Sequence, residues 1–69
     1  MTRTDRLFLL LHEAGWSIGD TAFVGKEGIS WLVFGTHGDQ RIRANAKTQE
    51  QAWIQACRQA DELGLVQPV

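Results

Sequence analysis

Cysteine is the first thing this chain lacks: Cys57 stands alone among sixty-nine residues. No disulfide can close inside one copy, and one cysteine with His12 and His37 shows no zinc-ligand spacing. An excess of either charge is also missing, with seven Lys and Arg against eight Asp and Glu. Non-specific nucleic-acid binding needs several phosphates neutralised together, so a near-neutral balance disfavours it. Long apolar runs are absent too. Leu7 to Leu11 is broken by His12 and Glu13, which predicts neither a signal peptide nor a membrane span of about 20 apolar residues. With a free thiol, that reads as a cytoplasmic protein that does not enter a membrane. There is no internal repeat, low-complexity stretch or polybasic tail.

These absences bear on stability. A chain this short buries only about 60% of the surface its unfolded form exposes, and such a core holds roughly 3–5 kcal/mol. With disulfide and zinc set aside, self-association is the remaining source of extra burial.

What is present is clear helix and turn punctuation. Leu7, Leu10, Leu11 and Ala14 mark the buried stripe of a helix over Thr4 to Ala14. Thr2 or Thr4 can cap it, Asp5 suits its positive end, and Gly15 can end it with Trp16 folding back on Leu11. Thr48-Gln49-Glu50-Gln51 reads as a capping box opening a second helix. Ala52, Ala56, Ala60 and Leu63 form one row along it, widened by Trp53 and Cys57, and Gly64 with Leu65 closes it. Between the helices lie three predicted strands: Thr21 to Val24, Ile29 to Gly35 and Arg41 to Ala46. Gly25-Lys26-Glu27-Gly28 and Thr36-His37-Gly38-Asp39 are the turns between them. The third strand alternates Ile42, Ala44 and Ala46 against Arg41, Arg43 and Asn45. The second is apolar on both faces.

The expected fold is therefore α+β, a three-stranded antiparallel sheet packed against two helices in the order α-β-β-β-α. One domain covers residues 1–69, with 66–69 as a frayed tail. This order resembles the double-stranded RNA-binding domain, whose three-stranded sheet carries both helices on one face. That family's RNA signature is a lysine run at the start of its last helix. Here Ala46-Lys47-Thr48-Gln49-Glu50-Gln51 offers Lys47 and a glutamate, while Gly25-Lys26-Glu27-Gly28 offers Lys26 beside an acid. The second half also looks like short bacterial proteins with a strand–turn–strand and an Ala-Trp helix, a likeness that implies no activity.

The two-sided second strand carries the leading functional reading. With both helices on one face, either Trp31 and Val33 or Leu32 and Phe34 must lie on the other. That pair is either covered by Phe8, Trp16 or the N-terminal segment, or left open to a partner. The chain is then a non-catalytic interaction module, pairing with a second copy or another protein through the uncovered face or a sheet edge. Trp31, Leu32, Val33 and Phe34 are its interface candidates, with Arg41 and Arg43 as a polar rim. The alternative is weak nucleic-acid binding through Lys26, Arg41, Arg43 and Lys47, with the arginines beside Trp31 stacking a base or holding a phosphate. Against it, these arginines can simply solvate a sheet face and pair with Glu27 or Asp39. His37 reads as turn polarity, His12 as a complement to the helix dipole, and Cys57 as a small buried side chain. No catalytic, metal or cofactor motif is legible, so no enzyme is expected.

Overall fold

Each helix begins where a threonine hydroxyl replaces a missing helical carbonyl. In the computed structural model, which describes residues 2–64, α1 spans Arg3–Glu13 and α2 spans Gln49–Glu62. Thr2 caps α1: its hydroxyl accepts from the Asp5 N–H at 3.2 Å, and the Asp5 carboxylate accepts from the Thr2 N–H, a complete capping box. In α2 the hydroxyl half of the box is formed, with Thr48 accepting from the Gln51 N–H at 3.2 Å. The end of α1 is a Schellman motif. Gly15 N–H donates to His12 O and Trp16 N–H to Leu11 O, both at 3.0 Å, with Gly15 at a φ of 97°. This turn drops Trp16 onto Leu11, and both are fully buried. The predicted Leu65 contact and the 66–69 tail lie outside the described residues.

Three antiparallel strands fill the middle in the order β1-β2-β3: β1 Ser17–Gly25, β2 Gly28–His37 and β3 Gln40–Ala46. The α-β-β-β-α order and α+β class are as expected, a topology compatible with that of the double-stranded RNA-binding domain. Strand β1 starts four residues earlier than its local pattern suggested. The cause is tertiary: Ile18 pairs with Gly35, and a Cβ on Gly35 would lie 2.9 Å from the Ile18 side chain. The missing side chain is what lets Ile18 close over β2.

Both helices lie on one face of the sheet. They pack side by side: their first turns meet at Arg3 and Glu50, and farther along Phe8 packs against Trp53 and the Cys57 Sγ lies beside the Leu7 carbonyl. Ala52, Ala56 and Ala60 are fully buried. Their small size brings α2 close against β3 and β2, where Val33, Ile42 and Ala44 complete the core with Trp53. Truncating Trp53 to Ala removes about 3–5 kcal/mol, most of what a core this size holds. The extents are 42 × 29 × 17 Å, and the thinnest dimension fits a single sheet covered by a single helix layer.

The long axis has a specific origin. Strand β3 stops at Ala46, opposite Trp31, while β1 and β2 continue to their turn at Lys26 and Glu27. Residues 23–30 thus form a two-stranded ribbon extending past the third strand.

Candidate functional site

The phase of β2 is set by its neighbour. Val33 pairs with Ala44 and Trp31 with Ala46, so both tryptophan and valine face the helices with the apolar side of β3. Val33 is buried and Trp31 half-buried against the core. Leu32 and Phe34 face the other way, and Phe34 is 48% exposed. The structure therefore divides the four interface candidates into two core residues and two on the open face. Neither aromatic proposed as a cover lies over that face. Trp16 is in the helix-side core, and Phe8 packs edge-on against Trp53 at 5.7 Å while stacking on His12 at 5.8 Å.

The open face follows from pairing register. One row across it is Ser17, Thr36 and Arg41, the next Gly19, Phe34 and Arg43, and the third Thr21, Leu32 and Asn45, with Phe23 beyond. The two arginines thus stand beside Phe34 and Thr36, not beside Trp31, which is on the opposite face. Strand β3 faces alternate, so Arg43 shares a face with the residue directly across it. Neither arginine forms an ion pair among the described residues, where the one salt bridge is Arg3–Glu50 at 3.9 Å. Phe34, Thr36, Arg41 and Arg43, with the backbone of Gly35 and Ile42, line a shallow cleft of about 390 Å³. Lys26 is in the far hairpin turn and Lys47 follows the end of β3. The four cations expected to act together on nucleic acid are therefore split between the two ends of the sheet.

The two sheet edges are unlike. On β3, the Gln59 side chain from α2 clamps Arg43: its Oε1 accepts from the Arg43 N–H at 3.0 Å, and its Nε2 donates to the Arg43 carbonyl at 2.7 Å. A glutamine amide here occupies the place of a further strand's peptide. Since Arg43 directs both groups away from β2, Phe34 directs its own toward β1. The peptide groups of Ile18, Asp20, Ala22 and Val24 then face outward from β1. Asp20 is tied by its side chain, with Oδ2 accepting from Gln49 Nε2 at 2.7 Å and from Trp53 Nε1 at 3.0 Å. Beyond Asp20 every residue of β1 is exposed, and Val24 is 80% exposed, with Ile29 across from it. No side chain among the described residues clamps this stretch.

The remaining candidates have structural tasks. His37 is the last residue of β2 and not part of the turn; its Nε2 donates to the Ala14 carbonyl at 3.0 Å and its ring lies 5.4 Å from that of Trp16. A Cβ on Gly15 would meet that nitrogen at 2.9 Å. Cys57 is half-buried with its Sγ 4.0 Å from the Leu7 carbonyl, and burial pushes its thiol above the ordinary value. Among the described residues, no group of three or more His, Cys, Asp and Glu could hold a metal ion, and no helix is long and apolar enough to cross a membrane. Compared with protein-family models, curated proteins and solved structures, the chain matches none.

Proposed function

We propose that this chain is a non-catalytic interaction module that pairs with a second copy of itself through the outer edge of β1. The observation that carries the reading is the open stretch Thr21 to Gly25, continuous with the exposed Phe23, Val24 and Ile29 of the overhanging ribbon. A free strand edge is a template for another strand, and folded proteins generally blunt such edges with charge, proline or a covering element. Here β3 is clamped by Gln59, while Thr21 to Gly25 contains no charge and no proline. Antiparallel pairing of an edge with itself is two-fold symmetric, so one patch serves both copies. Two such uncharged stretches meet without repulsion. Pairing would also bury apolar surface that a chain of this size lacks. Trp31 and Val33 support the sheet from the helix side, and Leu32 and Phe34 stay on the open face.

The test is molar mass by light scattering over a wide concentration series, for the natural chain and for Ala22→Pro. The outward Ala22 N–H makes no bond within the sheet, so proline removes the pairing donor and leaves the monomer's ladder intact. The natural chain should dimerise and the variant should be monomeric with an unchanged far-ultraviolet spectrum. A monomeric natural chain, or a folded Ala22→Pro chain that still dimerises, contradicts the reading. If the proline variant unfolds, Val24→Lys provides the same comparison by adding charge to the edge.

A further inference from the structure

The open sheet face carries a second, separate feature, because its charges are all of one sign. Reading across the three strands, the face presents Ser17, Gly19, Thr21 and Phe23 from β1, Ser30, Leu32, Phe34 and Thr36 from β2, and Arg41, Arg43 and Asn45 from β3. Two guanidiniums and no carboxylate stand on these strand positions. Two copies joined face to face would bring four cations together, so this face calls for an anionic occupant. The cleft of about 390 Å³ between Phe34, Thr36, Arg41 and Arg43 falls in the range of roughly 300–1,000 Å³ usual for small-ligand sites. Beside Phe34, Gly19 has no side chain, and nothing lies within 4 Å of where its Cβ would stand. One side of the phenyl ring is thereby left accessible. Arg43 stands directly across from Phe34 on the other side, and Arg41 stands across from the Thr36 hydroxyl.

From this arrangement we propose that the cleft binds a nucleotide, its phosphate held by Arg41 and Arg43 with Thr36, and its base stacked on Phe34. Guanidiniums suit phosphate because their planar fork can donate two parallel hydrogen bonds. A base suits an exposed phenyl because stacking adds to the charge attraction without needing a sequence-specific edge. Inorganic phosphate would satisfy only half the site, and an acidic peptide would leave the ring unused. A free nucleotide and one within a single strand present the same phosphate and base, and the titration below separates the two sources.

The test is a titration followed by amide and side-chain NMR shifts at low salt, using AMP, UMP, a ten-nucleotide oligouridylate, inorganic phosphate and a poly-glutamate peptide. The expected result is saturable shifts at Gly19, Phe34, Thr36, Arg41 and Arg43 with the nucleotides, and weaker binding of phosphate alone. Phe34→Leu should weaken nucleotide binding about fivefold or more, the loss of one stacked base, and leave phosphate binding unchanged. Arg41→Gln with Arg43→Gln should abolish both, with the fold intact because both side chains point to solvent. An oligonucleotide about tenfold tighter than UMP identifies a strand as the source, as added phosphate contacts require; equal affinity identifies the free nucleotide. No shift with any nucleotide overturns the proposal, as does equal binding of phosphate and nucleotide or binding of the acidic peptide alone. Ala22→Pro leaves this cleft untouched, so its titration separates the site from the self-pairing proposed above.

Discussion

The two outer strands of this sheet face the same physical problem and meet it differently. A strand at a sheet edge has a row of peptide groups with no partner strand. On β3 the helix that follows supplies a substitute, the Gln59 amide, which accepts from and donates to Arg43. On β1 the edge is tied to the helix that follows through Asp20, which holds Gln49 and the Trp53 indole, and from Thr21 onward the strand is exposed. The difference follows from where α2 runs. The buried Ala52, Ala56 and Ala60 seat α2 closely against β3, near enough for a glutamine to reach the edge. The β1–β2 ribbon extends past the end of β3.

The contrast can be broken most severely at its anchor. Asp20→Ala leaves the Trp53 indole N–H without its acceptor inside the core, and hydrogen bonds to a charged group contribute about 1.5–3 kcal/mol. Stability should fall by about 2–3 kcal/mol in urea unfolding, and Asp20→Asn, which keeps an acceptor oxygen, should recover about half of it. Gly15→Ala comes next, at about 2 kcal/mol, because it forces a side chain into a left-handed backbone and against His37. Its measured signature should be a lowered Tm together with displaced His37 ring resonances.

Gln59→Ala removes the contrast itself. Two neutral hydrogen bonds are lost, so stability should drop by about 1–2 kcal/mol. Both edges are then open, and light scattering should show species larger than a dimer at high concentration. A variant that loses stability but keeps the natural chain's association would show that the clamp serves only the monomer.

The smallest effect is on pH. Asp5 has its carboxyl held below the ordinary value of 3.8 by the Thr2 N–H and then by the Thr2 hydroxyl. The unfolded chain therefore binds the proton more readily than the folded one, and the capping box contributes fully above the ordinary value. Its contribution is lost as pH falls through the lower folded value. Protection of the amides in the first turn of α1, taken relative to their intrinsic exchange rate at each pH, should fall as pH drops through that acid window and stay flat above it. Asp5→Asn should remove this pH dependence.

Much of the fold was legible because its signals are local. Thr48, Gly15 and Gly64 mark helix ends through cap geometry that needs no distant residue. The alternation of β3 also showed its two faces correctly. The phase of β2 was harder, since an apolar run on both faces carries no period of its own. Yet a usable signal was there: a hairpin loop of two or four residues places odd positions of β2 opposite even positions of β3. Ile42, Ala44 and Ala46 then assign Val33 and Trp31 to the core, and move the arginines away from Trp31 to Phe34. The early start of β1 at Ser17 depends on Gly35 admitting Ile18, and the Gln59 clamp and the Asp20–Trp53 bond join residues far apart in sequence. No periodicity or cap encodes such pairs, so they emerge only from the packed helix and sheet.

The most direct measurement is amide hydrogen exchange on β1 and β3 as protein concentration is raised. The Thr21 and Phe23 amides, paired with β2, and the Arg43 amide, held by Gln59, should be protected at every concentration. The Ala22 and Val24 amides should exchange freely in dilute solution and become protected as copies pair. Ala22 and Val24 amides that exchange freely at all concentrations would contradict pairing through the β1 edge.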